Sequence, residues 1–199
     1  RQRQMCIRDS FYPLAEGLRK NEEYLLKCNT FLENPRTDRI ATVIEDKKNL
    51  YGVYAALFSL PGRVSLYYGA EYGLTGKKEE DEEALLSSGL TKEEYTPDRF
   101  TSFVAKLSEI HGKNSELQNG QYKEVYLDHR LYAFLRIDEN SGVLSVLNND
   151  AMDQFIRLSI PFRARLAFDL FTQDEVEIGY DGKLRVFCPA HSGRLIKVK

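Results

Sequence analysis

Residues 57–73 read L-F-S-L-P-G-R-V-S-L-Y-Y-G-A-E-Y-G. The stretch opens on the end of an apolar stripe, Leu50, Val53, Tyr54, Leu57 and Leu60, whose i, i+3, i+4, i+7 spacing predicts an amphipathic helix. Pro61-Gly62 stops that helix. V-S-L-Y-Y at residues 64–68 is rich in β-formers and ends at Gly69. A helix delivered straight into a strand is half of a β-α-β unit, and the other strand has to be sought upstream.

The compact apolar run at residues 25–32 supplies it and predicts a buried strand. Before it, Phe11, Leu14, Ala15 and Leu18 give a short helical stripe that breaks near Asn21. After it comes the best-signalled helix of the chain. Thr96 is its expected N-cap, Pro97 its first turn, Phe100, Phe103, Val104, Leu107 and Ile110 its buried face, and Gly112 its stop. Strand, helix, strand, helix at these lengths predicts two parallel strands joined by a right-handed crossover. Two such strands are too few for a domain, so the expectation is that something which completed the sheet is missing.

Beyond residue 115 the pattern changes. Short alternating runs predict strands at 121–127, 131–137, 143–148, 155–160, 165–170, 176–178, 184–188 and 195–198. Turn chemistry separates them at Asp128-His129, Asn140-Ser141-Gly142, Asn148-Asn149-Asp150, Asp181-Gly182 and Ser192-Gly193. In the run 165–170, Leu166, Phe168 and Leu170 are the expected buried face, with Arg165, Ala167 and Asp169 outward. So many short strands in so short a segment predict an antiparallel sandwich with a core of its own.

Composition narrows the function. With 28 Lys and Arg against 30 Asp and Glu, the net charge of −2 leaves no basic face for nucleic acid or an anionic membrane. No apolar run approaches the roughly 20 residues that span a bilayer. Cys6, Cys28 and Cys188 lie far apart and make neither a disulfide framework nor a zinc site, which leans toward a reducing, cytoplasmic compartment. No cofactor motif and no metal-ligand set is found. Gly69, Gly73 and Gly76-Lys77 have the wrong spacing for a phosphate loop. His111, His129 and His191 fall at a helix end and in turns, and read as surface histidines. The acids at 79–83 are consecutive, cannot converge on one ion, and read as a solvated loop or helix start. Residues 1–10, R-Q-R-Q-M-C-I-R-D-S, resemble the translated end of a sequencing-library adapter and are set aside; on that reading the native chain is expected to begin in mid-domain near Phe11, the alternative being a natural basic tail.

Two stretches resemble the alpha-amylase family of glycoside hydrolases, (β/α)8-barrel enzymes that cut alpha-glucosidic bonds. F-L-E-N-P-R-T-D-R-I-A-T at residues 31–42 is similar to the family's seventh-strand motif, F-x-x-N-H-D followed by x-x-R-I. Residues 57–73 are similar to its eighth-strand signature, an apolar helix ending in P-G and a strand ending in Y-Y-G-x-E-x-G. S-E-L-Q-N-G-Q-Y at 115–122 and V-L-S-V-L-N-N at 143–149 resemble the start of the family's C-terminal sandwich and a strand within it. The resemblance implies an α/β part followed by an all-β part. Residues 11–114 would be the seventh and eighth strands of a truncated (β/α)8 TIM barrel with their helices, and residues 115–199 an antiparallel β-sandwich. It also implies an alpha-glucan or oligosaccharide as the parent's partner. Asn34, Arg39 and Glu71 follow on the strand ends and are expected to rim the sugar cleft.

The departures carry equal weight. Family enzymes are retaining and draw a nucleophile and an acid/base carboxylate from the fourth and fifth strands, which this chain lacks. The third carboxylate and a sugar-binding histidine belong to N-H-D, where this chain has Asn34, Pro35 and Arg36. Pro35 has no side-chain donor, and Arg36 places positive charge near a developing oxocarbenium ion. Arg63-Val64 also stands where the family usually shows an apolar residue and a proline. Three readings follow: an inactive piece of an alpha-glucan hydrolase, a noncatalytic relative that lost its acids, and a small protein whose sandwich binds sugars by itself. In the first, a one-base insertion with a nearby deletion would turn His-Asp codons into Pro-Arg.

Overall fold

The computed structural model describes residues 26–78, 97–139 and 141–199, together with 16, 17 and 20. The adapter-like segment, the apolar residues of the 11–18 stripe, the acidic run, Thr96 and Asn140 lie outside the described residues.

Two short strands, β1 (Asn29–Thr30) and β2 (Arg63–Val64), pair in parallel, with Asn29 opposite Arg63 and Thr30 opposite Val64. The expected strand at 25–32 is thus ladder-paired at Asn29 and Thr30, and the one expected at 64–68 begins a residue early and is ladder-paired only at Val64. The Ser65 amide still donates to the Thr30 carbonyl, after which the chain turns away at Tyr67 and Tyr68. Between the strands lie α1 (Ile40–Val43) and α2 (Asn49–Ser59). Leu60 caps α2 through its amide on the Ala56 carbonyl, and Pro61 forbids another turn.

The third helix, α3 (Arg99–Lys113), buries Phe100, Val104, Leu107 and Ile110 as the stripe predicts. Its start and stop are both displaced. Asp98 is the N-cap, its carboxylate accepting from the Thr101 amide at 2.8 Å, and the helix runs through Gly112. The break comes at Asn114, whose side chain donates to the Ile110 carbonyl. A short α4 (Ser115–Asn119) follows.

The remainder forms two antiparallel sheets. The larger has the order β3-β4-β5-β10-β7: β3 (Gln121–Leu127), β4 (Leu131–Asp138), β5 (Ser141–Asn148), β10 (Ser192–Val198) and β7 (Ala167–Asp169). The smaller has the order β6-β9-β8: β6 (Gln154–Leu158), β9 (Leu184–Cys188) and β8 (Glu177–Ile178). Leu131, Ala133, Leu135, Leu144, Val146, Ile196 and Val198 of the large sheet face Ile156, Leu158, Leu184 and Val186 of the small one.

The large sheet is covered on its other face too. Tyr122, Tyr132, Phe134, Val143, Leu147 and Leu195 share one core with α2 and α3. The core between the sheets is thus their own, and the helices upstream add a second core on the outer face of the large sheet. This double burial corrects two expectations. In the run 165–170 Leu170 is buried as expected, but so are Ala167 and Asp169, whereas Leu166 is 41% exposed and Phe168 packs on the helix side. Asp169 is tolerated inside because Arg194 pairs with it at 2.7 Å and the amides of Phe171 and Thr172 donate to it. Ser192-Gly193 is not a turn but the start of β10. A Cβ on Gly193 would lie 2.4 Å from Cβ of Ala55, so glycine is what lets β10 press against α2.

Polar side chains fasten the two faces together. Arg136, fully buried, donates to the carbonyls of Gly120 and Ser59, the latter at the C-terminal end of α2 where a cation is favoured. His111 and His191 are not loose surface residues. Nδ1 of His111 lies 2.8 Å from the Phe58 carbonyl, and Nδ1 of His191 lies 2.7 Å from Oδ1 of Asn49. Among the described residues no helix is long and apolar enough to cross a membrane.

Candidate functional site

Chemistry in a parallel α/β sheet gathers beyond the carboxyl ends of its strands, because the loops there converge. Here the loop after β1 carries residues 31–39 and the loop after β2 carries residues 65–78. They dock on one another. The Arg39 amide donates to the Gly76 carbonyl at 3.0 Å, Thr42 Oγ1 accepts from the Gly76 amide at 2.8 Å, and the Lys78 amide donates to Asp38 at 2.8 Å.

A buried ion pair lies at the centre of this junction. Arg39 is 0% exposed and its Nη1 donates to Glu33 Oε1 at 2.8 Å and to the Tyr68 carbonyl at 2.6 Å. Its guanidinium stacks 4.4 Å from the centre of the Tyr67 ring. The second oxygen of Glu33 accepts from the Ile40 amide at 2.6 Å, so both carboxylate oxygens are used. Beneath, the Tyr54 hydroxyl donates to the Ala70 carbonyl at 2.8 Å. Burial, reinforced by the charges of Glu33 and Glu71, pushes Tyr54 well above the ordinary phenol value and keeps it a donor. Gly69, at φ +81°, makes the left-handed exit into the single 3₁₀ turn Ala70–Tyr72 that carries Glu71.

The residues singled out from sequence divide accordingly. Asn34 is half-buried, and its side chain is used locally: Oδ1 accepts from the Arg36 amide at 2.8 Å. The Thr37 amide returns to the Asn34 carbonyl at 3.1 Å, so residues 34–37 form a tight turn with proline at its second position. Pro35 and Arg36 sit exposed at its tip. Arg39, expected at the rim of the cleft, is instead wholly interior and committed to Glu33, which is a correction. Glu71 remains half-exposed beside the junction. The sequence does not point to Glu33, Tyr54 or Tyr67 as site residues: Tyr54 reads as part of the α2 stripe and Tyr67 as part of a strand. The signal for Glu33 was present: a lone acid directly after an apolar run, six residues before a lone arginine that opens another.

A cavity of about 550 Å³ lies elsewhere, lined by Leu26, Phe58, Arg63, Leu66, His111 and Gln118 among others, and it includes none of the junction residues. Among the described residues no cluster of His, Cys, Asp and Glu is placed to hold a metal ion.

No protein-family profile matches the chain. A cyclomaltodextrinase of Thermoanaerobacter pseudethanolicus is 29% identical over 102 residues, which are 51% of this chain and 17% of that protein. A cyclomaltodextrin glucanotransferase of a Bacillus species is 27% identical over 149 residues, 73% of this chain and 20% of that protein. The crystal structure of an alpha-amylase from Geobacillus thermoleovorans complexed with acarbose superposes with a TM-score of 0.79, at 18% identity, over 94% of this chain and 43% of that one.

In sequence and fold this chain is similar to proteins of the alpha-amylase family.

The two stretches that resemble alpha-amylase family motifs, residues 31–42 and 57–73, are the two whose loops Arg39 joins, through Glu33 on its own side and the Tyr68 carbonyl on the other. Where the family motif reads N-H-D, the turn Asn34-Pro35-Arg36 presents a cation and no carboxylate to solvent. The chain spans 17% and 20% of the length of the two curated relatives.

Proposed function

We propose that this chain is the C-terminal part of a retaining protein of the alpha-amylase family that acts on alpha-glucans, and that by itself it is catalytically silent. One observation carries the reading. Buried Arg39, paired with Glu33 of its own loop, reaches the Tyr68 carbonyl and the Tyr67 ring and so ties the loops of two parallel strands together at their carboxyl ends, where such barrels place their sites. In this reading β1 and β2 are the seventh and eighth strands, and the sheets after residue 115 are the C-terminal sandwich. Retaining cleavage needs two carboxylates about 5–5.5 Å apart flanking the scissile bond. Glu33 cannot serve as one, since Arg39 and the Ile40 amide hold both of its oxygens. Arg36, at the motif position of a third carboxylate, would oppose the positive charge of the transition state.

A second reading, a noncatalytic relative, is favoured by the turn itself. Asparagine first and proline second is the residue order that a tight turn prefers, and proline leaves no amide unsatisfied there. Pro35 is at home in this backbone.

The test compares two proteins on maltoheptaose and cyclomaltodextrin, read as reducing ends released. The 199-residue chain should release none. The product translated with the reading frame that precedes residue 11 and carrying Pro35→His and Arg36→Asp should release them. Release by the 199-residue chain, or none by the longer product, overturns the proposal. Activity of the longer product with Pro35 and Arg36 retained would exclude the noncatalytic relative.

A further inference from the structure

The outward face of the small sheet is built unlike a solvated surface. Phe155 of β6 stands directly opposite Phe187 of β9, with ring centres 4.9 Å apart, and the two are 66% and 36% exposed. One step along, Arg157 stands opposite Arg185, and Arg185 also pairs across with Glu177 of β8. The Arg185 guanidinium lies 5.3 Å from the centre of the Phe155 ring. Further along, the β8–β9 hairpin carries a fully exposed Tyr180. None of these rings is needed for packing, because Ile156, Leu158, Leu184 and Val186 already fill the inner face. Like charges directly opposite each other on a sheet are unfavourable, yet two arginines are held so by Asp181 at 3.4 Å and Glu177 at 3.4 Å.

The chemistry of this strip fits one class of ligand. Aromatic faces exposed beside oriented guanidinium and carboxylate groups match a ring with an apolar C–H face and a hydroxyl rim, which is a pyranose sugar. The charges are cross-paired, Arg157 and Lys183 with Asp181 and Arg185 with Glu177, so the strip offers a phosphate or a nucleic acid only one unmatched charge. The four steps along β9 from Phe187 to Lys183 span about 14 Å, the reach of a short oligosaccharide rather than of a single sugar. We propose that the outward face of the β6-β9-β8 sheet, centred on Phe155, Phe187 and Arg185, binds a linear alpha-glucan chain at a site separate from the motif loops. The choice of an alpha-linked glucan rests on the functional reading above.

The test is native gel electrophoresis of the intact chain through gels containing amylopectin or hydroxyethylcellulose. Retardation in amylopectin alone is expected, and Phe155→Ser with Phe187→Ser should weaken it about tenfold. Both positions are exposed, and an unchanged circular dichroism melt identifies a folded variant. Arg185→Ala provides a second, independent variant and should weaken retardation too. Lys123→Ala, exposed on β3 of the other sheet, should leave it unchanged. Absence of retardation, equal retardation in hydroxyethylcellulose, indifference to both sets of substitutions, or a dimer that the Phe155 and Phe187 variant dissolves would each overturn the proposal. These outcomes are separable from the fate of the functional reading, because turnover by the longer gene product is read at the motif loops and involves none of these strands.

Discussion

Arg39→Ala should be the most damaging single change in the loop-bearing half. The substitution leaves Glu33 buried as a carboxylate with only the Ile40 amide as partner, strips the Tyr68 carbonyl of its donor, and removes the cation from the Tyr67 ring. Removing one member of a buried ion pair costs about 3–5 kcal/mol, because the other charge stays behind without compensation. For a chain of this length each kcal/mol lowers the melting temperature by roughly 2–4 °C, so a drop of about 10 °C is expected. Urea titration and thermal melting followed by circular dichroism would measure both quantities. The double variant Glu33→Leu/Arg39→Met removes both charges at once and should recover most of the loss, since an apolar pair of similar volume is often neutral. Arg36→Ala, at the exposed tip of the turn, should stay within about 0.5 kcal/mol of the parent. If Arg39→Ala lies within about 1 kcal/mol of the parent, or the double variant is as unstable as the single, the buried pair is not what joins the loops.

Stability should also depend on Glu116, which pairs with Lys197 at 2.6 Å and accepts from Ser141. Burial alone would raise its carboxyl, but the bonds from Lys197 and Ser141 outweigh that and hold it below the ordinary value. A depressed folded-state value contributes stability above the unfolded value of roughly pH 4.3 and loses it as pH falls through the folded one. Urea midpoints at several pH values should therefore fall more steeply on acidification for the parent than for Lys197→Met, and parallel curves would contradict this. Gly193→Ala should cost about 1–3 kcal/mol, because its new methyl would meet Ala55 at 2.4 Å and force α2 off β10. The companion change Ala55→Gly should restore part of that loss in the same melting assay.

How much of this was legible depended on how local each cause is. Gln121–Leu127 and Leu184–Cys188 are placed to the residue, because alternation and flanking turn chemistry are written in adjacent positions. The buried stripe of α3 is equally local, and the parallel pairing of β1 with β2 follows from the helix between them. The run 165–170 misleads because β7 is covered on both faces, so that alternation no longer tells inside from outside, and because Leu166 falls just before β7 and stays exposed. Gly193 looks like a turn residue until α2 is seen lying on it. Arg136 reaches Ser59 across 77 positions, a partnership no pattern in either segment announces. At the site, the sequence puts Asn34, Pro35 and Arg36 just beyond a strand end, but the tight turn they form is seen only in the structure. The burial of Arg39 was missed, because a charged residue reads as exposed until its partner is identified.

The helices and the large sheet share one core, so they should unfold as one cooperative unit. Hydrogen–deuterium exchange with peptide-level mass spectrometry on the 199-residue chain measures this directly. Peptides covering α2 should exchange as slowly as those covering β5 and β10, against which α2 packs. Fast exchange across α2 while β5 and β10 stay protected would show that the sandwich stands alone and that the loop-bearing half is not part of its fold.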